Sequence, residues 1–107
     1  MNDNMDIPGF TRLDLPGTSA DNDSSVHRKL RVVEHFGITS LAVQERYGTE
    51  PRDFYRIFGL EPSRYAPAGG AVPLLVAGTL VGGLGISGLE SVEDHNLAVA
   101  ALQRWCS

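Results

Sequence analysis

Two carboxylates and an imidazole stand side by side near the C-terminus, as Glu93, Asp94 and His95. They open a segment with helical periodicity, and the first backbone amides of a helix favour negative charge. An imidazole can move protons near neutral pH or ligate a metal or haem, and a neighbouring carboxylate can orient it. A structural explanation fits equally well, in which Asp94 caps the helix and Glu93 is simply exposed to solvent. The triplet therefore indicates either a small-molecule site or an ordinary helix start.

A glycine-rich stretch precedes the triplet, and Gly83, Gly85 and Gly88 have the spacing of a dinucleotide-binding turn. Such a turn needs its glycines after a strand, followed by a helix and a second parallel strand. Here the first two glycines fall inside a predicted strand, and too few residues follow the helix. The sequence also lacks a phosphate-loop lysine, a zinc-type Cys or His pair and a Gly-x-Ser-x-Gly elbow. Neither a nucleotide site nor a metal site is predicted.

The elements that must position the triplet are a β-hairpin and a final helix. Strand-like residues 72–76 and 80–87 are joined across a short turn and predict the hairpin. Alternation gives the second strand an apolar face and a nearly bare face, the latter formed by Val81, Gly83, Gly85 and Ser87. Glycine weakens a strand unless something must come close. The bare face therefore predicts the close approach of a helix, a ligand or another subunit.

Four helices are predicted, over residues 24–36, 40–47, 51–58 and from the capping-box segment 91–94 to the end. Arg28, Lys29 and Arg31 in the first helix are expected on a solvated face, with an anion site as the alternative. Aromatic residues of the third helix are expected to pack in the core, since basic residues near them are few.

Composition limits the class of protein. The sequence of 107 residues predicts one domain, with residues 1–23 an acidic, mostly loop segment and residues 24–107 the folded part. The net charge of −4 argues against nucleic acid as a partner. No signal peptide or membrane span is visible, and the single cysteine, Cys106, cannot form an internal disulfide, so a cytoplasmic location is expected. The small core favours a homo-oligomer.

The order of several short segments resembles the uncharacterised branch of the haem-degrading-domain superfamily, which includes GlcG-like, HbpS-like and PduO C-terminal-like proteins. The resemblance covers about residues 13–105 and is carried by Leu15–Asp23, Arg28-Lys29, Val33-x-x-Phe36-Gly37, Gly69–Pro73, Ile86–Leu89 and Glu93–Asn96. It implies an α+β fold, an antiparallel β-sheet with helices packed against it in two layers, assembled into symmetric oligomers. It also implies that the chain begins within a strand near residue 10, after the helix and strand with which relatives start.

The resemblance associates the chain with haem or another tetrapyrrole as a ligand or cofactor. His95 matches the family pattern, whereas Ile38 and Ala68 occupy positions where relatives tend to carry histidine. We therefore expect an oligomeric small-molecule-binding module with a pocket lined by Gly69, Gly70, Ser87, Asp94 and His95.

Two alternatives remain open on the sequence. One is a small enzyme that uses His95 as acid or base and Asp94 to orient it. The other is a self-assembling scaffold without a ligand, in which the hairpin and Trp105 are buried between chains.

Overall fold

The computed structural model describes residues 9–12, 20–47 and 50–106 of the chain. Two segments that are rich in helix flank a hairpin. The elements are β1 (Phe10–Arg12), α1 (Ala20–Phe36), α2 (Ser40–Tyr47), α3 (Pro51–Phe58), β2 (Ala71–Val76), β3 (Thr79–Gly85) and α4 (Ser91–Cys106). The predicted α+β class, the hairpin and the four helices are confirmed.

The three strands form one mixed sheet in the order β1-β3-β2. β2 pairs antiparallel with β3, as the hairpin requires, but β1 pairs parallel with β3. The expectation of a purely antiparallel sheet is therefore wrong. The physical reason is connectivity: a short turn forces antiparallel pairing only on neighbouring strands, whereas three helices and β2 separate β1 from β3.

The hairpin register pairs Val72 with Leu84 and shifts between Leu74 and Leu75. Gly82 pairs with Leu74 and Leu80 pairs with Leu75, so Val81 is left over as the extra residue of a β-bulge. The bulge interrupts the strict alternation that the sequence suggested for the second strand.

Helices cover both faces of the sheet instead of forming a single layer on one side. Neighbouring residues of β2 point to opposite faces. Val72 packs with Leu84, Ile86 and Ala98 on the α4 side, whereas Ala71 packs with Leu30 and Val33 of α1. The sheet therefore lies between α1 and α4.

At Gly83 and Gly85, the close approach predicted for the bare face of β3 is made by other parts of the chain. A β-carbon placed on Gly85 would lie 2.8 Å from Val26 and 2.9 Å from Leu30. One placed on Gly83 would lie 2.9 Å from the ring of Phe10. These glycines let α1 and β1 pack directly on the strand.

α1 is buried on a second side by α2 and α3. A cluster of Val32, Val43 and Phe54 fills this interface, surrounded by Phe36, Ile38, Tyr47, Tyr55, Phe58, Leu60 and Tyr65. The prediction that the aromatic residues pack in the core is confirmed. Ile57, by contrast, is 60% exposed.

The helix ends follow local rules. The hydroxyl of Thr39 accepts a hydrogen bond from the Ala42 amide at 3.1 Å and caps α2. Pro51 occupies the first turn of α3 and Gly59 closes it in the left-handed conformation, with φ of 66°. α1 begins at Ala20, four residues before its predicted start. The prediction was late because the polar residues before position 24 suggested a loop, although such residues are equally common in the first turn of a helix.

None of the described helices is long and apolar enough to cross a membrane. The side chain of Trp105, which was expected to be buried between chains, lies outside the described residues, as does that of Cys106.

Candidate functional site

A buried ion pair joins α1 to the start of α4. Lys29 Nζ lies 3.1 Å from Asp94 Oδ2, and the two side chains are 7% and 0% exposed. The ammonium also donates to the Ser87 hydroxyl at 3.3 Å and to the Ile86 carbonyl at 3.4 Å. All three donor positions of the lysine thus have acceptors, as a buried charge requires.

The second carboxylate oxygen of Asp94 is also used. Oδ1 accepts the Leu89 amide at 3.0 Å, which fixes the turn between β3 and α4. Since α1 and α4 lie on opposite faces of the sheet, the ion pair reaches past the end of β3 and ties the two faces together.

Gly70 closes the other side of this cluster. Its φ of 139° and its hydrogen bond from the Ile86 amide at 2.8 Å place its Cα against the ion pair. A β-carbon there would meet the Ile86 carbonyl, Lys29 Nζ at 2.9 Å and Asp94 Cβ at 3.1 Å. The space that glycine leaves open is therefore filled by the lysine ammonium.

α2 holds the segment around Gly70 through two side chains one helical turn apart. Gln44 Oε1 accepts the Gly69 amide at 2.7 Å. The buried Ser40 hydroxyl accepts the Ala71 amide at 3.0 Å and donates to the Ala71 carbonyl at 3.3 Å. The two glycines are thus a clamped structural segment, and a β-carbon on Gly69 would lie 2.6 Å from the Ser91 carbonyl.

His95 follows Asp94 on α4 and is partly buried. Its Nδ1 is buried and has no hydrogen-bond partner among the described residues. Both oxygens of Asp94 bond elsewhere, to Lys29 and to the Leu89 amide. The pairing expected for an Asp94-oriented His95 is therefore not formed.

The predicted pocket residues are neighbours around the start of α4, but most of them contact each other. Gly70, Ser87 and Asp94 enclose the Lys29 ammonium, and Gly69 packs on Ser91. The arrangement can hold a charge and fix a helix end. Because the lysine donates to Ser87, the hydroxyl is not placed as an activated nucleophile.

The prediction for Lys29 was wrong. It was expected on a solvated face, yet it is buried, because α1 packs on two sides. The spacing in the sequence indicates this burial. Lys29 follows Val26 by three positions and precedes Val33 by four, so it lies on the same apolar side of α1 as these two buried valines.

Among the residues that the structure describes, no group of three or more His, Cys, Asp or Glu side chains is placed to hold a metal ion.

Comparison with known proteins shows that the chain is similar to several UPF0303 proteins. A UPF0303 protein of Streptomyces coelicolor is 45% identical over 92 residues, which are 85% of this chain and 58% of that protein. One from Lactiplantibacillus plantarum is 38% identical over 86 residues, 79% of this chain and 56% of that protein. The chain therefore spans a little over half the length of these relatives.

A solved structure shares the fold. The crystal structure of Ybr137w protein superposes with a TM-score of 0.74 and 30% identity, covering 85% of this chain and 53% of that one. A family model described as haem degrading protein HbpS-like matches residues 4–103. The chain belongs to this HbpS-like family.

Proposed function

We propose that the chain is a small-molecule-binding module that takes haem or a related tetrapyrrole beside the start of α4, with His95 as the contact residue. The observation that carries the proposal is the buried Nδ1 of His95, which has no hydrogen-bond partner in the described part of the chain. A buried polar atom without a partner costs about 1–3 kcal/mol, which protein interiors tolerate mainly where another group completes the site.

The surroundings of His95 fit a flat, largely apolar ligand. Leu89 and Val92 precede it at intervals of three residues, and both are exposed, at 50% and 56%. Residues three apart on a helix lie about 5–6 Å apart at Cβ, so Val92 and His95 share one surface. The imidazole would ligate the iron, and the two apolar side chains would contact the macrocycle. The family description supports this class of ligand.

The buried residues have a supporting role in this proposal. Lys29, Ser87 and Asp94 satisfy one another, so they fix the helix start that presents His95. Of the five residues predicted to line a pocket, His95 is the one proposed to touch the ligand, and Gly69, Gly70, Ser87 and Asp94 form the wall behind it.

A haemin titration tests the proposal. The purified chain should give a saturable Soret shift, and His95→Ala should weaken binding by about tenfold, equivalent to about 1.4 kcal/mol. His35→Ala is the matched control, because His35 is exposed on α1 and should leave the affinity unchanged. An unsaturable signal, or equal binding by the two variants, contradicts the proposal.

A second candidate function, a self-assembling module, is favoured by a different observation. The end of the hairpin carries Leu75, Val76 and Val81, all of which are exposed although apolar. Exposed apolar patches are often sites of interaction with another protein. Sedimentation velocity of the purified chain tests this candidate, and a stable monomer contradicts it.

A further inference from the structure

We propose that Arg28, Arg31 and Arg64 form a binding site for a phosphate-like dianion on the α1 surface opposite the sheet. This site is separate from His95, and its proposal does not depend on the tetrapyrrole proposal. The carrying observation is again a buried polar atom: Arg28 Nε has no hydrogen-bond partner among the described residues.

Two hydrogen bonds to backbone carbonyls bring the turn that carries Arg64 next to Arg28 and Arg31. Arg28 and Arg31 lie three residues apart on α1, which places their Cβ atoms about 5–6 Å apart. The Arg28 carbonyl accepts the Ala66 amide at 3.2 Å, and Arg31 Nη1 donates to the Arg64 carbonyl at 3.3 Å. The turn that carries Arg64 is therefore fixed alongside the helix.

Arg64 and its neighbours are held by ring contacts. The Arg64 guanidinium lies 6.0 Å from the centre of the Tyr65 ring. That ring in turn packs edge-on to His35, with centroids 6.0 Å apart. A side chain already restrained by an aromatic ring loses less conformational freedom when it binds an anion.

The positive charge of this surface has no carboxylate partner in the described part of the chain. None of the three arginines forms an ion pair with a described residue, although Glu34 and Glu61 lie close to them in sequence. Arg56, by contrast, pairs with Asp53 at 2.7 Å. Arginines without a carboxylate partner among the described residues make a local positive surface, which attracts an anion even in a chain of net charge −4.

The chemistry of arginine selects the ligand class. A guanidinium presents planar paired donors that match the oxygens of phosphate, and its Nε–H is one donor of that pair. Arg28 as a whole residue is half-buried, although its Nε is buried. Three such groups suit a tetrahedral dianion, namely a phosphate monoester or inorganic phosphate.

The test follows the arginine Nε–H signals by NMR while inorganic phosphate is added to the full chain, with sodium chloride at matched ionic strength as the reference. The Arg28 signal should shift saturably with phosphate and not with chloride. Arg28→Ala should weaken binding by about tenfold, because it removes a charge-assisted hydrogen bond and one positive charge from the site. Arg52→Ala, in an exposed position on α3, should bind like the parent chain.

Absence of a saturable shift, an equal response to chloride, or equal affinity of the Arg28 and Arg52 variants would overturn the proposal. If circular dichroism shows that the Arg28 variant is unfolded, Arg64→Ala takes its place, because Arg64 is exposed on a turn. Full phosphate affinity in a folded Arg64→Ala chain would then overturn it.

Discussion

Lys29 and Asp94 show how one ion pair can determine where a helix begins. The pair lies between elements from opposite faces of the sheet, and its remaining hydrogen bonds go to Ser87 and the backbone. A buried ion pair adds little net stability over apolar residues of the same volume, but breaking it leaves a buried charge uncompensated. The contribution of Lys29 is therefore best measured by removing one partner at a time.

Lys29→Met should lower the free energy of unfolding by about 3–5 kcal/mol, because Asp94 Oδ2 loses its compensating charge while remaining buried. The double variant Lys29→Met with Asp94→Asn should recover a large part of this loss, since an amide oxygen can still accept the Leu89 amide. Urea unfolding followed by circular dichroism gives both values.

The control for that experiment is the exposed pair of Arg56 and Asp53. Arg56→Met should change the free energy of unfolding by less than about 1 kcal/mol, as is usual for surface ion pairs. If Lys29→Met costs no more than this control, the ion pair does not hold the two faces together.

Gly70 is a second residue whose replacement should destabilise the chain. Gly70→Ala should destabilise the chain by at least about 2 kcal/mol more than Gly37→Ala, because its β-carbon would displace Lys29 and the Ile86 carbonyl. Gly37 also has a positive φ, of 73°, but faces open space, so its replacement should cost about 1 kcal/mol of backbone strain. Thermal unfolding of both variants measures the combined cost of crowding and of the φ of 139° at Gly70, and equal losses would contradict the prediction.

The hairpin turn contains a strained residue, Ala77, whose replacement should stabilise the chain. Ala77 and Gly78 have φ of 52° and 80°, the pattern of a type I′ turn, in which asparagine is preferred at the first position. Ala77→Asn should raise the free energy of unfolding by about 0.5–1 kcal/mol and the melting temperature by about 3 °C. Ala100→Asn, on the exposed side of α4, should instead lower stability slightly. A lower melting temperature for Ala77→Asn would contradict this interpretation of the turn.

Elements defined by local signals could be predicted from the sequence. Apolar periodicity indicated α4 and the hairpin, and the predicted helices 40–47 and 51–58 have the same bounds in the structure, where Thr39 caps the first and Pro51 and Gly59 mark the ends of the second. The start of α1 was placed too late, because the polar composition of residues 20–23 fits both a loop and a first helical turn.

Features that depend on distant parts of the chain could not be predicted. The parallel pairing of β1 with β3 joins residues about 70 positions apart, and nothing near Phe10 in the sequence encodes it. The burial of Lys29 depends on helices on both sides of α1. In the candidate site, the sequence identified Gly70, Ser87 and Asp94 as neighbours but not the lysine that fills the space between them.

The outer edge of the sheet limits how copies of the chain could associate. The first half of the outer edge of β2 is closed: Ser40 satisfies both backbone groups of Ala71, and Pro73 has no amide to donate. A partner strand therefore has little to pair with along this half of the edge. Association through β2 would have to use the apolar side chains near the turn, where Val76 is 58% exposed.

The proposed self-association therefore predicts a specific effect of charge at the hairpin end. The parent chain should sediment as a species heavier than its 11.5 kDa monomer, and Leu75→Lys with Val76→Lys should shift it towards the monomer, because burying two ammonium groups in an apolar contact is costly. Ile57→Lys is the control, since Ile57 is also apolar and exposed but lies on α3. An equal shift by the control would place the contact elsewhere, and a monomeric parent chain at micromolar concentration would remove self-assembly from consideration.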